Sequence, residues 1–456
     1  MEASGGIAAF LGILFPGLIV LFIITQSTYF INNILVDFII YSRSSNVVDG
    51  EETPAVLPTI HVLVPIYGER RAVIEQTVAN IAELDYPATN IEVYLITEPD
   101  DAVVAAYVDE FVETVTASGP SIEQLTVNRS TIASYVREGQ WDLNGDGVPR
   151  TKASALKYAF RTLTLPPDDV VTVFDADTIV PEDTFTLAVG GLETYDIVQA
   201  KQTVRNHDAG WLPRLEAMGI AAWCHTLYEK TTAGPYQLLG KAYFVTVGDL
   251  WAIGDWQVNA TTEDLTLGLD AYEAGYSLGI VDRFIQDICP ADFGDWVNQK
   301  RRWAAGPYAY LRAEQFDPRE LVRFWTYSAS NQVVSLVNVV GVPTGILYFL
   351  FVLAGFDLYN SPPLVVVTLV NLLNWVYYSV KTYQATALGV QFASPRQRVW
   401  FYVTTNPLTQ LVYSMLWAIP ITLAIWDHFV SSAEREFVVT PKQVDGRLAD
   451  SATQDD

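Results

Sequence analysis

Four long apolar stretches limit the folds that this chain can adopt. Residues 7–41 are nearly uncharged, and three more apolar stretches lie near residues 330–358, 363–383 and 399–430. A helix needs about 20 apolar residues to cross the hydrocarbon core of a membrane. The first stretch follows the start MEASGG, which lacks the basic residues typical of a cleaved signal peptide, so we expect a retained membrane helix.

The apolar stretches divide the chain into consecutive parts. We predict a membrane helix over residues 1–43, a polar linker over 44–59 and a charged domain over 60–320. Membrane or interfacial helices in about three apolar segments then fill 321–430, and a polar, mostly acidic tail covers 431–456. The charged domain alternates strand and helix patterns, which is typical of an α/β sheet.

The charge of the chain excludes some functions. The sequence is 50% hydrophobic but carries 52 acidic and 27 basic side chains, a formal net charge of -25. Such an acidic chain does not bind nucleic acid through a basic surface. The acid excess favours adaptation to high salt, as in a halophilic prokaryote and an archaeon in particular, over an ordinary acidic mesophile. The two cysteines, Cys224 and Cys289, have no CxxC spacing and do not indicate a disulfide framework.

Basic residues beside the apolar stretches predict the orientation in the membrane. Arg43 follows the first stretch, while the KRR at 300–302, Arg319 and Arg323 precede the second. Because lysine and arginine mark the cytoplasmic side, we expect the charged domain in the cytoplasm. Three spans after the domain would leave the tail outside. Residues 399–430 are too short for two spans but could hold an interfacial helix plus one span, so the side of the tail stays open.

Polar side chains follow the predicted strands of the charged domain. Strand patterns occur at IHVLVP, IEVYLIT and VTVF, and the first two flank a helical pattern. This β-α-β order implies a parallel sheet, and ligands of such sheets bind beyond the carboxyl ends of the strands. We therefore expect one edge of the sheet to hold a group of mostly acidic side chains. They are Tyr67, Glu69, Glu98, Asp100, Asp101, Asp175 and Asp177.

Asp175 and Asp177 come directly after the predicted strand at 171–174, with one residue between them. Two neighbouring carboxylates at the end of a buried strand are costly unless a cation lies close to them. A divalent metal that holds the phosphates of an activated donor would provide that cation. An acidic turn after a strand is the alternative that these residues alone leave open.

Five motifs in residues 60–310 resemble the inverting glycosyltransferases of family 2, which have the GT-A fold. They correspond to the family patterns PxYNE, KAxAL, DxD, TED and QxxRW, with Gly68 in place of the asparagine of the first. Together with the flanking membrane helices, they make the chain similar to the processive branch of cellulose, hyaluronan and poly-N-acetylglucosamine synthases. The segments are PIYGE at 65–69, TKASAL at 151–156, FDAD at 174–177, TED at 262–264 and QKRRW at 299–303.

The resemblance implies an inverting reaction and particular substrates and partners. A sugar would pass from a nucleotide-sugar donor, a UDP-sugar in particular, to a growing β-linked glycan that the membrane helices translocate. The alternative is transfer of one sugar to a polyprenyl phosphate or another lipid acceptor, and a third interpretation is a membrane receptor that only senses nucleotide sugars. The expected partners are therefore the donor, a glycan or lipid-linked acceptor, and membrane lipid.

The resemblance also implies roles for the donor-side residues. Asp175 and Asp177 would bind Mg²⁺ or Mn²⁺, ions that prefer hard oxygen ligands. Glu98 competes with Asp100 for the nucleoside because ITEPDD departs from the common family pattern. Without the resemblance, Lys152 would be interpreted as a solvated helix lysine. The residues expected to contact the donor are Tyr67, Glu69, Asp100, Lys152 and Asp175.

The TED motif supplies the predicted catalytic carboxylates. Asp264 is the expected general base, which takes the proton of the acceptor hydroxyl. Glu263 is the second carboxylate of the catalytic pair and the less favoured base. Ordinary N-capping of a helix by Thr261 or Thr262 is the alternative explanation of TTED.

The QxxRW motif places Gln299, Arg302 and Trp303 on one face of a predicted helix. The resemblance implies that Arg302 pairs with the donor diphosphate and that Trp303 stacks on an acceptor sugar. The alternative is membrane anchoring, which is common for arginine and tryptophan at membrane boundaries. Lys300 and Arg301 fit that anchoring role.

Two further segments have weaker resemblances. FVVTPK at 437–442 resembles the FxVTxK gating loop of cellulose synthases, which implies that Thr440 and Lys442 reach the donor if the tail is cytoplasmic. DLNGDGVPRTKA starts like a calcium loop at Asp142, but its twelfth position is Ala153 instead of glutamate. We therefore favour a tight turn over a calcium site at this segment.

Overall fold

The computed structural model combines an 8-stranded sheet with a bundle of apolar helices. The loop that starts at Asp142 and the tail residues Thr440 and Lys442 lie outside the described residues. The structure describes residues 2–40, 46–48, 54, 56–115, 119–132, 151–258, 260, 262–310, 316–356, 358, 361–431, 443–444 and 447–448.

The sheet is mostly parallel. In the order β1-β8-β6-β7-β5-β2-β3-β4, all neighbours are parallel except β7, which runs antiparallel to β5 and β6. β2 is buried along nearly its whole length, because helices cover both faces of the sheet. The strands are β1 Val47–Val48, β2 Ile60–Ile66, β3 Ile91–Thr97, β4 Ser121–Thr126, β5 Val170–Val173, β6 Ile197–Val204, β7 Tyr243–Thr246 and β8 Leu278–Asp287.

Helices cover the two faces of this sheet with separate apolar cores. One core packs α2, α3 and α5 against the sheet, and the other packs α4, α7 and α8 against the opposite face. The helices are α1 Glu2–Leu35, α2 Arg71–Ala82, α3 Ala102–Val115, α4 Lys152–Thr162, α5 Thr184–Leu192, α6 Trp211–Trp223, α7 Val247–Ile253, α8 Glu263–Glu273 and α9 Phe293–Ala305. The part of the chain from residue 46 to residue 310 is called the sheet domain below.

Strand β1 lies within the segment that the sequence analysis treats as a polar linker. Val47 and Val48 pair in parallel with Ile280 and Val281 of β8, and Val48 is buried. A short Val-Val step within a polar segment carries no strand period of its own. The distant strand β8 supplies its hydrogen-bond partners, so local sequence did not predict this strand.

Long apolar helices flank the sheet domain on both sides in sequence. After residue 310 they are α10 Pro318–Leu353, α11 Pro362–Gly389, α12 Pro395–Thr404, α13 Pro407–Leu416 and α14 Ala418–Phe429. A 10-residue helix such as α12 is too short to span a membrane. Among the described residues, four segments are long and apolar enough to cross one: Phe15–Phe38, Pro318–Leu353, Pro362–Gly389 and Pro407–Phe429.

The second half of the last segment, Pro407–Phe429, packs against the sheet domain. Asp427 near the end of α14 forms an ion pair with Arg301 of α9. Ile421 and Ala424 share a buried apolar cluster with Ala304, which follows Arg301 by three residues on α9. The end of α14 therefore lies beside the sheet domain rather than a membrane thickness away from it.

Candidate active site

A cavity of about 1780 Å³ opens at the carboxyl ends of β2, β3 and β5 and continues between helices α1, α10, α11 and α13. Because parallel strands end at the same edge, their terminal side chains meet there. The sequence-predicted residues that line this cavity are Tyr67, Glu69, Asp100, Lys152, Asp175, Glu263, Asp264, Gln299, Arg302 and Trp303.

The two aspartates of the DxD motif point to different surroundings. A turn follows β5, in which the amide of Asp175 donates to Thr178 Oγ1 at 3.1 Å. The carboxylate of Asp175 lines the cavity, whereas Asp177 is only 1% exposed. Asp177 Oδ2 accepts a hydrogen bond of 2.9 Å from the amide of Ile288, just after β8. Asp177 is thus tied to the residue that follows β8, which is not a neighbour of β5 in the sheet.

Lys241 is a site residue that the sequence analysis missed. Its Nζ atom lies 2.8 Å from Asp175 Oδ2 and 2.9 Å from Asp287 Oδ2. Burial lowers the pKa of Lys241, but the carboxylates of Asp175, Asp287 and Asp177 more than offset that effect, so the pKa is raised. Lys241 therefore carries a positive charge into the wall of the cavity.

Asp287 completes the group of carboxylates around Lys241. Burial raises the pKa of Asp287 to about 6, with further contributions from Asp177 and Asp175 and an opposing one from Lys241. Lys241 precedes β7, and Asp287 ends β8. Only the strand order, which places β7 between β5 and β6, brings these two residues to the DxD motif.

Lys152 links the DxD motif to the TED motif. It is the first residue of α4, whose start is fixed by a capping box between Thr151 and Ser154. Its Nζ atom lies 2.5 Å from Asp175 Oδ1 and 3.9 Å from Glu263 Oε1. This cation is therefore held between two acidic groups at the cavity, and it is not a solvated helix lysine.

Asp264 is half-buried in the first turn of α8. Burial raises the pKa of Asp264 to about 7, with a further rise from the neighbouring Glu263, while the Leu265 amide and Lys152 act in the opposite direction. The Leu265 amide donates to Asp264 Oδ1 at 2.8 Å. A Cβ atom at Gly240 would lie 3.1 Å from Asp264 Oδ2, so a glycine there leaves room for the carboxylate.

The N-capping explanation of TTED is only partly supported. Thr262 occupies the N-cap position of α8, but its side chain makes no capping hydrogen bond. Thr261 lies outside the described residues. The acidic first turn still suits the positive end of a helix dipole. The Asp264 side chain is therefore oriented by the hydrogen bond from the Leu265 amide and by its place in the first turn of α8.

The two competing carboxylates after β3, Glu98 and Asp100, have different surroundings. Glu98 is buried and pairs with Arg129, whose Nε atom lies 3.1 Å from Glu98 Oε2. Asp100 is exposed and lines the cavity together with Glu98. Asp101, one residue later, accepts a hydrogen bond of 2.7 Å from the amide of Gly68.

Gly68 explains the departure from the PxYNE pattern. Its φ angle is 65°, in the left-handed region that residues other than glycine, asparagine and aspartate rarely adopt. Glycine and asparagine both tolerate this conformation. The substitution of Gly68 for the asparagine of the family is therefore compatible with one backbone shape at this turn.

The QxxRW residues line the cavity from helix α9. Burial lowers the pKa of Arg302, while the negative charges of Glu263 and Asp175 oppose that shift. Trp303 is 43% exposed, and Lys300 Nζ lies 3.4 Å from the centre of its ring. The indole is therefore partly exposed, and Trp303 lines the cavity.

Lys300 and Arg301 are not membrane anchors in this structure. Lys300 is 1% exposed and pairs with the buried Glu216 of α6, and Arg301 pairs with Asp427 of α14. Both cations are used inside the protein, where they join α9 to its neighbours. The anchoring interpretation of these two residues was therefore wrong.

A second group of possible metal ligands lies away from the cavity. His225, Glu229 and Asp282 bring one ligand atom each within 4.8 Å of one another. Lys201 Nζ lies 2.9 Å from Glu229 Oε1 and also pairs with Asp282. An ammonium group thus already neutralises these carboxylates, and the group carries no metal assignment.

Comparison with known proteins shows the family of the chain. The model of glycosyl transferase family group 2 matches residues 170–426, which is more than half of the 456 residues. The chain belongs to glycosyl transferase family group 2. It is therefore a glycosyltransferase, and its four long apolar helices mark it as a membrane protein.

Two relatives of this glycosyltransferase match it at low identity. The β-monoglucosyldiacylglycerol synthase of Synechocystis sp. is 25% identical over 263 residues, which is 57% of this chain and only 50% of that synthase. The probable glycosyltransferase YdaM of Bacillus subtilis is 23% identical over 412 residues, which is 86% of this chain and 87% of YdaM.

A solved structure supports the fold of the glycosyltransferase. The mannosyltransferase PcManGT from Pyrobaculum calidifontis, solved in complex with GDP-Man and Mn²⁺, has a TM-score of 0.52 at 17% identity. The match covers 90% of this chain and 99% of the mannosyltransferase. The predicted fold class, an α/β GT-A domain with apolar helices, is confirmed.

Proposed function

We propose that this glycosyltransferase moves a sugar from a nucleoside diphosphate donor to an acceptor hydroxyl, with inversion at the anomeric carbon. The observation that carries the proposal is Asp264, whose pKa is raised to about 7 in the cavity that also holds Asp175 and Lys152. An attacking hydroxyl loses its proton during the reaction, and a carboxylate with a near-neutral pKa is an efficient acceptor for that proton.

The cations of the cavity support a diphosphate donor. Lys152 and Lys241 both contact Asp175, and Arg302 lines the same cavity. Fixed cations stabilise the charge that develops on a leaving diphosphate. PcManGT was solved with GDP-Man, which supports a nucleotide sugar as the donor class, and a UDP-sugar is the donor that the motif resemblance implies. Tyr67, Glu69 and Asp100 are the proposed nucleoside contacts.

We propose a divalent ion at the carboxylates beside the donor site. Asp175 Oδ2 and Asp287 Oδ2 lie 2.8 Å and 2.9 Å from Lys241 Nζ, so these two carboxylates already share a cation. Carboxylate oxygens are the ligands that Mg²⁺ and Mn²⁺ prefer. We propose Asp175 and Asp177 as ligands of Mg²⁺ or Mn²⁺, with Asp287 as a third carboxylate. When bound, the ion would offset the negative charge of the leaving diphosphate.

The rate of transfer is expected to fall below a pH of about 7. Asp264 must be ionised to accept a proton, and its pKa is raised to about 7, so kcat increases as the pH rises through this value. Replacing the neighbouring Glu263 by glutamine removes a negative charge that raises the pKa of Asp264. The ascending limb of the pH profile should therefore move to lower pH in Glu263→Gln. Measurement of kcat from pH 5 to 9 at saturating donor tests both expectations.

The matched control for Glu263→Gln is Glu273→Gln at the other end of α8. Glu273 belongs to the same helix but does not line the cavity. Its substitution should leave the pH profile unchanged. A limb that stays in place in Glu263→Gln would contradict the coupling between the two carboxylates.

A processive polysaccharide synthase is the second candidate function. One observation favours it beside the motif resemblance: the cavity continues from Asp264 along α10, whose lining residues run from Tyr327 to Leu353. These 26 helical steps correspond to about 39 Å, which exceeds the hydrocarbon core of about 30 Å. Trp303 at the cavity would then stack on the acceptor sugar.

Product size separates a synthase of polymers from an enzyme that adds one sugar. Membranes are incubated with a panel of radiolabelled nucleotide sugars and Mg²⁺ or Mn²⁺, and products are separated by size. High-molecular-weight label from one donor would establish the processive candidate. Label that stops at one sugar on an extractable lipid would exclude it.

We further propose that the sheet domain and the start of the tail share the cytoplasmic side. The ion pair between Asp427 and Arg301 supports this arrangement, since it keeps the end of α14 at the sheet domain. The chain would then cross the membrane with α1, α10 and α11, and α13–α14 would lie along the interface. The gating role that the FxVTxK resemblance implies for Thr440 and Lys442 requires a tail on this side.

Cysteine labelling tests the side on which the tail begins. Both native cysteines, Cys224 and Cys289, are buried, so labelling of the unmodified enzyme should be low. We expect Ser431→Cys to react with a membrane-impermeant maleimide only in inside-out vesicles. Glu193→Cys, at an exposed position of the sheet domain, is the reference for that side. Labelling of the two variants in opposite vesicle preparations would contradict the arrangement.

A further inference from the structure

The cavity changes its chemical character along α10. Its lining from this helix is polar near the catalytic residues, with Ser328, Gln332, Ser335 and Asn338. From Gly341 to Leu353 the lining is apolar, over about 18 Å at the rise of an α-helix. A span takes up about 20 residues, so the apolar part lies in the hydrocarbon core and the polar part begins near its boundary. Such a lining matches an amphiphile.

The membrane part of the cavity is uncharged. Among the described lining residues, all charged side chains belong to the sheet domain, between Glu69 and Arg302. The described lining from α1, α10, α11 and α13 consists of neutral polar and apolar side chains. An ionised head group buried there would lack the cationic partner that it needs. The lining thus favours an uncharged head group.

Hydrogen bonds join polar residues of four helices around the cavity. This group, called the collar below, consists of Gln26, Tyr29, Asn338, Asn371 and Ser414. Tyr29 donates to Asn338 Oδ1 at 2.7 Å, and Asn338 Nδ2 donates to Ser414 Oγ at 2.8 Å. Asn371 Nδ2 donates to Gln26 Oε1 at 2.9 Å. These bonds connect α1, α10, α11 and α13, so the polar zone is a built feature of the helix bundle.

Two buried polar atoms at the cavity point to a bound ligand. Gln202 and Ser379 are 8% and 7% exposed and both line the cavity. Among the described residues, neither Gln202 Nε2 nor Ser379 Oγ has a hydrogen-bond partner. A buried donor without a partner is costly. Hydroxyl or ester oxygens of a ligand head group would satisfy both donors.

The apolar end of the cavity opens to the surface of the helix bundle. Ile346, Leu350 and Leu353 line the cavity and are 57%, 56% and 82% exposed. In a membrane this surface faces lipid. A hydrocarbon chain can therefore enter the cavity sideways while its head group lies in the collar.

We propose that the acceptor is an uncharged lipid with a free hydroxyl group, held with its head in the collar and its hydrocarbon chain along the apolar end. This inference rests on the proposed transfer to a hydroxyl. The hydroxyl oxygen bonds to the anomeric carbon, the bond from that carbon to the phosphate oxygen breaks, the nucleoside diphosphate leaves, and the hydroxyl proton passes to Asp264. A lipid phosphate is already largely ionised near neutral pH and would need no such base.

Filling the apolar end tests the proposal without touching the donor site. Gly345 lines the cavity and a Cβ atom there meets nothing within 4 Å, so Gly345→Phe adds a large side chain at the apolar end. Gly17→Phe on α1 is the matched control, because Gly17 is exposed, does not line the cavity and also has nothing within 4 Å. The probe is radiolabelled dioleoylglycerol, and its binding to the purified full-length enzyme in nanodiscs is measured without donor.

We expect the enzyme and Gly17→Phe to bind dioleoylglycerol equally, and Gly345→Phe to bind it at least about tenfold more weakly. Equal binding by Gly345→Phe would overturn the proposed location. Binding of a polyprenyl phosphate in place of dioleoylglycerol would overturn the uncharged head group. Nucleoside diphosphate release from a donor panel is measured in parallel. Release without lipid binding refutes only this inference, whereas no release from any donor refutes the proposed function.

Discussion

Asp264→Asn is expected to abolish sugar transfer and to leave donor binding intact. The amide has nearly the same size as the carboxylate, and its oxygen can still accept the 2.8 Å hydrogen bond from Leu265. It cannot take a proton from the acceptor near neutral pH, and loss of a general base lowers rates by about 10²- to 10⁴-fold. Turnover with the best donor is compared with donor affinity by calorimetry.

The control for Asp264→Asn comes from the same helix. Asp270 of α8 does not line the cavity and pairs with Gln257 Nε2 at 2.6 Å. Asp270→Asn should therefore keep near-normal turnover. Near-normal transfer by Asp264→Asn would contradict the assignment and would move the role of general base to another group, with Glu263 as the first to test.

Lys241→Met is expected to destabilise the folded enzyme and to make its stability depend on a divalent ion. The substitution leaves Asp175 and Asp287 without the cation that now lies within 2.9 Å of both. Removal of one partner from a buried ion pair costs about 3–5 kcal/mol. Bound Mn²⁺ would replace the missing charge, so it should stabilise the variant more than the unmodified enzyme.

The loss in Lys241→Met should depend on pH. Burial and the nearby acids raise the pKa of Asp287 to about 6 in the folded protein, above its value in the unfolded chain. Lys241 opposes this rise, so Lys241→Met raises the pKa of Asp287 further, and the loss should shrink as the pH falls through that raised value. Urea unfolding at pH 5 and pH 8, with and without Mn²⁺, measures both effects.

Lys157→Met provides a buried lysine outside the site as a comparison. Lys157 pairs with Asp255, which also pairs with Arg161 at 2.6 Å. We expect a loss of stability in Lys157→Met that Mn²⁺ does not reverse. An equal response of both variants to Mn²⁺ would contradict a specific ion position beside Lys241.

Sequence alone predicted the edge of the sheet at which the cavity opens. Tyr67, Asp100 and Asp175 each follow a different strand, and parallel strands bring their carboxyl ends together. The helix α2 likewise has the predicted buried residues, since a 3.6-residue period leaves one face for the core. These buried residues are Val73, Ile74, Thr77, Val78 and Ile81.

Features that depend on distant partners could not be predicted. Lys241 reaches the DxD motif only because the antiparallel strand β7 inserts between β5 and β6. The buried Asp177 accepts a hydrogen bond from the amide of Ile288, which is more than a hundred residues away in sequence. The ion pair of Arg301 with Asp427 is equally remote in sequence, and hydropathy alone did not show that α14 returns to the sheet domain.

The configuration of the product tests the proposed reaction most directly. The enzyme is incubated with an α-linked nucleotide sugar, the labelled product is isolated, and NMR of its anomeric proton shows which anomer has formed. The proposed direct displacement, with Asp264 as the base, predicts a β-linked sugar on the acceptor hydroxyl and no product from Asp264→Asn. An α-linked product would contradict the direct displacement.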